Sequence, residues 1–181
     1  MRGASQAARG IARMVLMVAA ALAVRAGAAP LAPNQVEVTP KLFTAGQPSR
    51  ESLATFATEG FGSVINLAPP TVHDAVLDEP VILNRQSIAY VNIPVDFDKP
   101  TDADYEAFAF QMKKQGDRKI LVHCETNLRA SSMVFLYRVI EQKQDPHKAY
   151  DDVSRIWVPN ATWKRYLRQM LQKKGIAFEP Y

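Results

Sequence analysis

The chain has 181 residues and is 48% hydrophobic and 22% charged, with a single cysteine and a formal net charge of +4. The basic excess sits in Arg2, Arg9, Arg13 and Arg25. The other 18 of the 22 Lys and Arg meet 18 Asp and Glu, so neither charge nor any aromatic-laced basic tract points to nucleic acid. One cysteine excludes an internal disulfide.

Residues 1–28 read as a secretory signal peptide. A basic start is followed by the apolar run Met14 to Val24, about eleven residues long and too short to span a bilayer. Ala26-Gly27-Ala28 then supplies the small residues of a cleavage site near Ala28 or Ala29. The alternative is an uncleaved N-terminal anchor. Cleavage leaves residues 29–181, about 150 residues, as one domain with a full core. The expected location is exported and periplasmic, with no membrane partner once the leader is removed. A lone thiol in an oxidising compartment is a liability unless buried or used.

Ala29 to Gln35 is a Pro-rich lead-in. Val36 to Val38 and Leu42 to Thr44 have strand character around Pro40, and Ala45-Gly46-Gln47-Pro48 is a turn. Ser49 caps a helix carrying Ser52, Leu53, Phe56 and Ala57, which Gly60 ends. Ser63 to Leu67 is an apolar strand closed by Ala68-Pro69-Pro70. Asp74 to Asn84 is weakly helical with Pro80 interrupting it, and Ile88 to Val95 is the next strand. A polar loop, Asp96 to Thr101, precedes a helix from Asp102 to Gln115 capped by Thr101 and stopped by Gly116.

Lys119 to His123 is a strand that delivers Cys124, and a helix runs from Ala130 to about Gln142. Asp145-Pro146 and Pro159-Asn160 start two more helices, the last ending at Gly175. Short apolar strands alternating with helices predict an α/β fold, a central mainly parallel sheet flanked by helices, with a C-terminal helical cluster. Trp157 and Trp163 fall at core positions. His73 and His147 are isolated surface residues, and Lys164, Arg165, Arg168, Lys173 and Lys174 form a solvated helix face. No metal-ligand cluster is present and no cofactor is expected.

The chemistry concentrates in Cys124-Glu125-Thr126-Asn127-Leu128-Arg129. A cysteine where a strand hands over to a helix meets free backbone N–H groups and the positive end of the helix dipole, which favour its thiolate. Arg129 can fold back over the same spot and grip an oxyanion through two parallel hydrogen bonds. A buried structural cysteine is the plain alternative.

Three stretches carry a resemblance: Leu42-Phe43-Thr44-Ala45-Gly46-Gln47-Pro48, Phe61-Gly62-Ser63-Val64-Ile65-Asn66-Leu67, and His123-Cys124 to Arg129. In that order they resemble the dual-specificity branch of the protein tyrosine phosphatase superfamily. More narrowly, they resemble the small bacterial short-loop phosphatase-like proteins, some of which accompany β-lactamase-hydrolase-like or NAD-kinase domains. The resemblance implies a dual-specificity-phosphatase-like fold and cleavage of phosphate monoesters through a phosphocysteine on Cys124. It implies that Arg129 and the N–H groups of Glu125, Thr126, Asn127, Leu128 and Ala130 hold the phosphate oxygens. His123 orients the loop and helps keep the thiol ionised. The general acid comes from Asp98 or Asp96, with Asp98 favoured because Lys99-Pro100 stiffens it. The partner implied is a phosphorylated protein or small molecule.

The loop departs from the family pattern. Arg129 stands one position early, and no glycine lies between it and Cys124. Asn127 is the expected replacement, since Asn tolerates the left-handed conformation. Glu125 is expected to point outward, toward a partner or a cationic part of the substrate. The hydroxyl that usually follows the arginine is displaced to Ser131 or Ser132. Two rival readings follow: a phosphatase-fold binding protein without activity, and a sulfurtransferase of the rhodanese kind, whose loops are also short.

Overall fold

The computed structural model describes residues 30–181, so the leader read over residues 1–28 lies outside the described residues. Five strands form one sheet in the order β1-β2-β5-β3-β4: β1 (Val36–Thr39), β2 (Leu42–Ala45), β3 (Phe61–Asn66), β4 (Ala89–Asn92) and β5 (Lys119–His123). Only β1 runs antiparallel, folding back on β2 through the turn at Pro40 and Lys41. The pairs β2–β5, β5–β3 and β3–β4 are parallel. The strand that leads to Cys124, β5, is therefore central, and its C-terminal end is flanked by Ala45 and Asn66.

Alternation along the strands divides the core in two. Leu42, Ile65, Ile120 and Val122 face one side, and Phe43, Val64 and Leu121 face the other. The second side is covered by Leu53, Phe56 and Leu83, from α1 (Arg50–Leu53), the turn after it and α2 (Glu79–Asn84). The first side is covered by α3 (Asp102–Lys114), α4 (Leu128–Ile140), α5 (Pro146–Ser154) and α6 (Ala161–Gln172). Every residue of α4 after Leu128 is buried, because β2, β5, α3, α5 and α6 all pack on it. Its buried Arg138 is neutralised by Asp152 at 2.5 Å and bonded to Gln144 at 2.8 Å.

Helix starts follow their caps. Thr101 and Asp104 form a reciprocal capping box on α3, Asp145 caps α5 with Pro146 behind it, and Asn160 accepts the N–H of Trp163 at 2.9 Å. Several boundaries differ from the sequence reading. α1 stops at Leu53 and continues as turns to Gly60. Pro80 does not interrupt a helix but sits in the first turn of α2, where its missing N–H costs nothing. β4 ends at Asn92 because Pro94 has no N–H to donate, although Ile93 and Val95 still bond to Asn66 O and Leu67 O. α4 begins at Leu128, two residues before Ala130.

Candidate active site

The Cys124–Arg129 loop connects β5 to α4, and the β2 end of the chain braces it. The Cys124 N–H donates to Ala45 O at 3.2 Å, and the Gln47 N–H donates to Glu125 O at 3.0 Å. Gly46 is required there, since a Cβ on it would stand 2.9 Å from Glu125 O. Asn127 caps α4 with φ 73° and no side-chain bond to the helix, as a glycine-free loop demands. Its amide is spent on the brace instead, donating to Asn34 O at 2.7 Å and Thr44 Oγ1 at 3.1 Å. The first-turn N–H groups of α4 at Leu128, Arg129 and Ala130 are thus left as donors for an anion. Ser131 tightens the turn by donating its hydroxyl to Asn127 O at 2.7 Å. That leaves Ser132, buried and without a partner among the described residues, as the free hydroxyl of the pair.

Arg129 is 7% exposed and its Nε has no partner among the described residues. Its guanidinium lies 5.3 Å from the centre of the Phe97 ring, a cation–π distance. Phe97, Glu125, Thr126, Leu128 and Arg129 line one cavity of about 280 Å³. Glu125 does not point outward: its Oε2 lies 4.0 Å from Arg129 Nη1, on the same cavity. Cys124 is fully buried with Ala130 and Met133 in the larger core cluster and does not line this cavity.

The predicted acids flank Phe97. Asp96 Oδ1 accepts the Asp98 N–H at 2.9 Å, so Asp96 shapes the loop, while the exposed Asp98 carboxylate has no partner among the described residues. Trp163 donates its Nε1–H to Phe97 O at 2.9 Å, and both tryptophan rings pack against Phe97. Trp163 is fully buried, whereas Trp157 is only half-buried, because it sits at the rim where this loop meets α6. The two tryptophans thus hold Phe97, and with it the segment of Asp96 and Asp98, on the Arg129 side of the molecule.

His123 and its surroundings hold the residue that sequence reasoning missed. His123 Nε2 lies 2.8 Å from Glu79 Oε1, and both side chains are buried. Glu79 Oε2 accepts from Gln47 Nε2 at 3.3 Å and from Asn66 Nδ2 at 3.2 Å. Asn66 and Gln47 fall inside two of the stretches singled out above, but a paired acid in the first turn of α2 had no local signal. His73 is exposed and bonded to Asp74 at 2.7 Å, which holds its imidazole above the usual range, with the Glu125 charge a smaller cause. His147 is exposed and packs on Phe178. Arg168 and Lys173 pair on the surface with Glu179 and Asp102.

A parallel sheet whose central strand feeds an arginine loop at the N-terminus of a buried helix is the fold of tyrosine and dual-specificity phosphatases. The family described as "DSP-PTPase phosphatase fused to NAD+ Kinase" matches residues 31–169, and the chain belongs to it. It is 30% identical over 156 residues to the β-lactamase hydrolase-like protein of Xylella fastidiosa (strain Temecula1 / ATCC 700964), a match covering 80% of this chain. The chain spans 35% of that relative's length. Among solved structures it is similar to the putative phosphatase (DUF442) of Shewanella putrefaciens CN-32, with TM-score 0.73 and 30% identity over 80% of this chain and 92% of that one. It shares its fold with P. aeruginosa TpbA, in a cysteine-to-serine form in complex with pTyr: TM-score 0.55 and 20% identity, over 67% of this chain and 72% of that one.

Proposed function

We propose that the protein is a cysteine-dependent phosphatase acting on phosphate monoesters, with an aryl phosphate such as phosphotyrosine as reference substrate. The observation that supports this best is Arg129, a buried guanidinium with an unpartnered Nε–H beside the free N–H groups of α4. An equatorial phosphate oxygen satisfies that donor and displaces Glu125 from the cavity. The Cys124 thiolate attacks phosphorus, the S–P bond forms as the ester P–O bond breaks, and Asp98 gives its proton to the leaving oxygen. Water then attacks phosphorus, the S–P bond breaks and inorganic phosphate leaves. Turnover requires phosphorus to come within reach of Cys124 Sγ, on a residue that is fully buried. Export to the periplasm after loss of residues 1–28 belongs to the same proposal, and fractionation with N-terminal sequencing of the mature protein tests it.

The catalytic test compares the protein with Cys124→Ser on p-nitrophenyl phosphate and on thiosulfate with cyanide. Phosphate release that Cys124→Ser abolishes is expected. Thiocyanate formation would replace this reading with the sulfurtransferase one. A second reading, a phosphatase-fold binding protein without turnover, is supported by the buried thiol and by Glu125 on Arg129, and silence in both assays would favour it.

A further inference from the structure

The Arg129 cavity, of about 280 Å³, is small for a ligand pocket and carries both signs of charge. Among the described residues that line it, Arg129 is the one cation and Glu125 the one anion, and Phe97, Thr126 and Leu128 complete the lining. Arg129 Nη1 and Glu125 Oε2 stand 4.0 Å apart, beyond hydrogen-bond reach. Their attraction therefore uses up no donor or acceptor of either group. The carboxylate is open to solvent, with 32% of the Glu125 side chain exposed.

The backbone that carries Glu125 is clamped. Its carbonyl accepts the Gln47 N–H at 3.0 Å, and the next carbonyl, of Thr126, accepts from Asn34 Nδ2 at 3.1 Å. Gly46 pairs with Thr126 in the same brace. When a phosphate takes Arg129, the Glu125 carboxylate turns aside by side-chain rotation while its Cα stays beside the cavity. Left without a cation, it stands near a dianion and repels it. The Arg129–Glu125 pair is thus complementary to a ligand of the opposite order: an anion for Arg129 and, a short distance away, a cation for Glu125.

Resting on Arg129 as the group that holds phosphate, we propose that the cavity selects small phosphate monoesters of the aminoalkyl class, with an ammonium a short chain away from the phosphate, and that Glu125 is the residue that selects them. An ammonium is a compact charge whose N–H donors all suit a carboxylate. The pair it forms with Glu125 replaces the one that the phosphate has broken. A neutral alkyl chain leaves Glu125 unpaired, and a carboxylate on the ester adds a second repulsion. Selection at the level of binding stands whether or not Cys124 turns the ester over.

Binding to the Cys124→Ser protein, which lacks the nucleophile, is measured by calorimetry with O-phosphoethanolamine, propyl phosphate, phosphoglycolate and inorganic phosphate. A chelator keeps metal ions from bridging the charges, and about pH 8 keeps the phosphate dianionic and the amine protonated. O-Phosphoethanolamine is expected to bind about three- to fivefold more tightly than propyl phosphate, the worth of one partly exposed ion pair, and phosphoglycolate more weakly than either. Adding Glu125→Gln should abolish that advantage, because propyl phosphate and inorganic phosphate gain affinity and O-phosphoethanolamine does not. Damage to the loop would instead move all of these ligands together. Equal affinities in Cys124→Ser, or an advantage that survives Glu125→Gln, would overturn selection by Glu125 and leave Arg129 as the phosphate holder. Absence of binding by every ligand would overturn both.

Discussion

His123 Nε2 lies 2.8 Å from Glu79 Oε1, with both side chains closed off from water immediately before Cys124. Removing one partner of such a pair strands the other, typically at roughly 3–5 kcal/mol. Glu79→Ala also strands the donors of Gln47 and Asn66. We therefore expect Glu79→Ala to lose stability in that range by urea denaturation. Glu79→Gln keeps an acceptor in place and should lose less than half as much. Equal, small losses in both variants would mean that the contact does not hold the loop.

Asn127 at φ 73° carries two opposite predictions. Asn127→Gly relieves the left-handed backbone but gives up the bonds to Asn34 O and Thr44 Oγ1. Asn127→Ala gives up the same bonds and adds the left-handed penalty, roughly 1–2 kcal/mol for a residue with a Cβ. The alanine variant should be the less stable of the two by about that amount. Identical denaturation midpoints would contradict the strain argument.

Legibility in the sequence followed the range of the forces. The strand Lys119 to His123, the turn at Asn127 and the caps at Thr101, Asp145 and Asn160 are written in neighbouring residues, and the sheet followed from short apolar strands alternating with helices. Glu79 was not legible, because its burial is decided by His123, Gln47 and Asn66, all distant in the chain. Glu125 was misplaced because its direction is set by the fold of the whole short loop, which brings its carboxylate to the Arg129 guanidinium. Phe97 went unread as the link between the acid loop and Arg129, since only packing against Trp157 and Trp163 sets it there.

Glu125 competes with any anion for Arg129, at 4.0 Å and with about a third of its side chain exposed. Glu125→Gln should tighten inhibition by inorganic phosphate by up to about fivefold, the worth of a partly exposed pair of ~1 kcal/mol. The gain should shrink as salt is raised, because screening weakens the competitor too. An unchanged inhibition constant at low salt would mean that the carboxylate leaves the cavity without cost.

Glu141 provides a pH handle away from the site. Lys113 at 2.6 Å holds its carboxyl below the ordinary carboxylate value, and Tyr105 donates to it at 3.4 Å. A depressed folded-state pKa means the unfolded chain binds the proton more readily. The stabilisation is therefore full above the unfolded value near 4.5 and is lost as pH falls through the lower folded one. Glu141→Gln should be less stable than the parent at neutral pH, and the gap should close by about pH 3. A gap that stays constant with pH would assign the loss to packing.

Under the proposed mechanism Asp96 shapes the loop and Asp98 gives the proton, and kinetics separates them. Asp96 already accepts the Asp98 N–H at 2.9 Å, a bond that an asparagine oxygen also makes. Asp96→Asn should therefore leave kcat within a few-fold of the parent, about what a retained turn allows. Asp98→Asn removes the proton donor and should lower kcat about 10²-fold or more on a poor leaving group such as phenyl phosphate. On p-nitrophenyl phosphate the loss should be much smaller, because that leaving group departs without a proton. The alkaline fall-off of the pH profile tests the same assignment from the other side: the limb that reports a required protonated acid should disappear in Asp98→Asn and persist in Asp96→Asn. If the limb persists in both, the proton comes from elsewhere, and the loop held by Phe97 and Trp163 serves only to cover the phosphate.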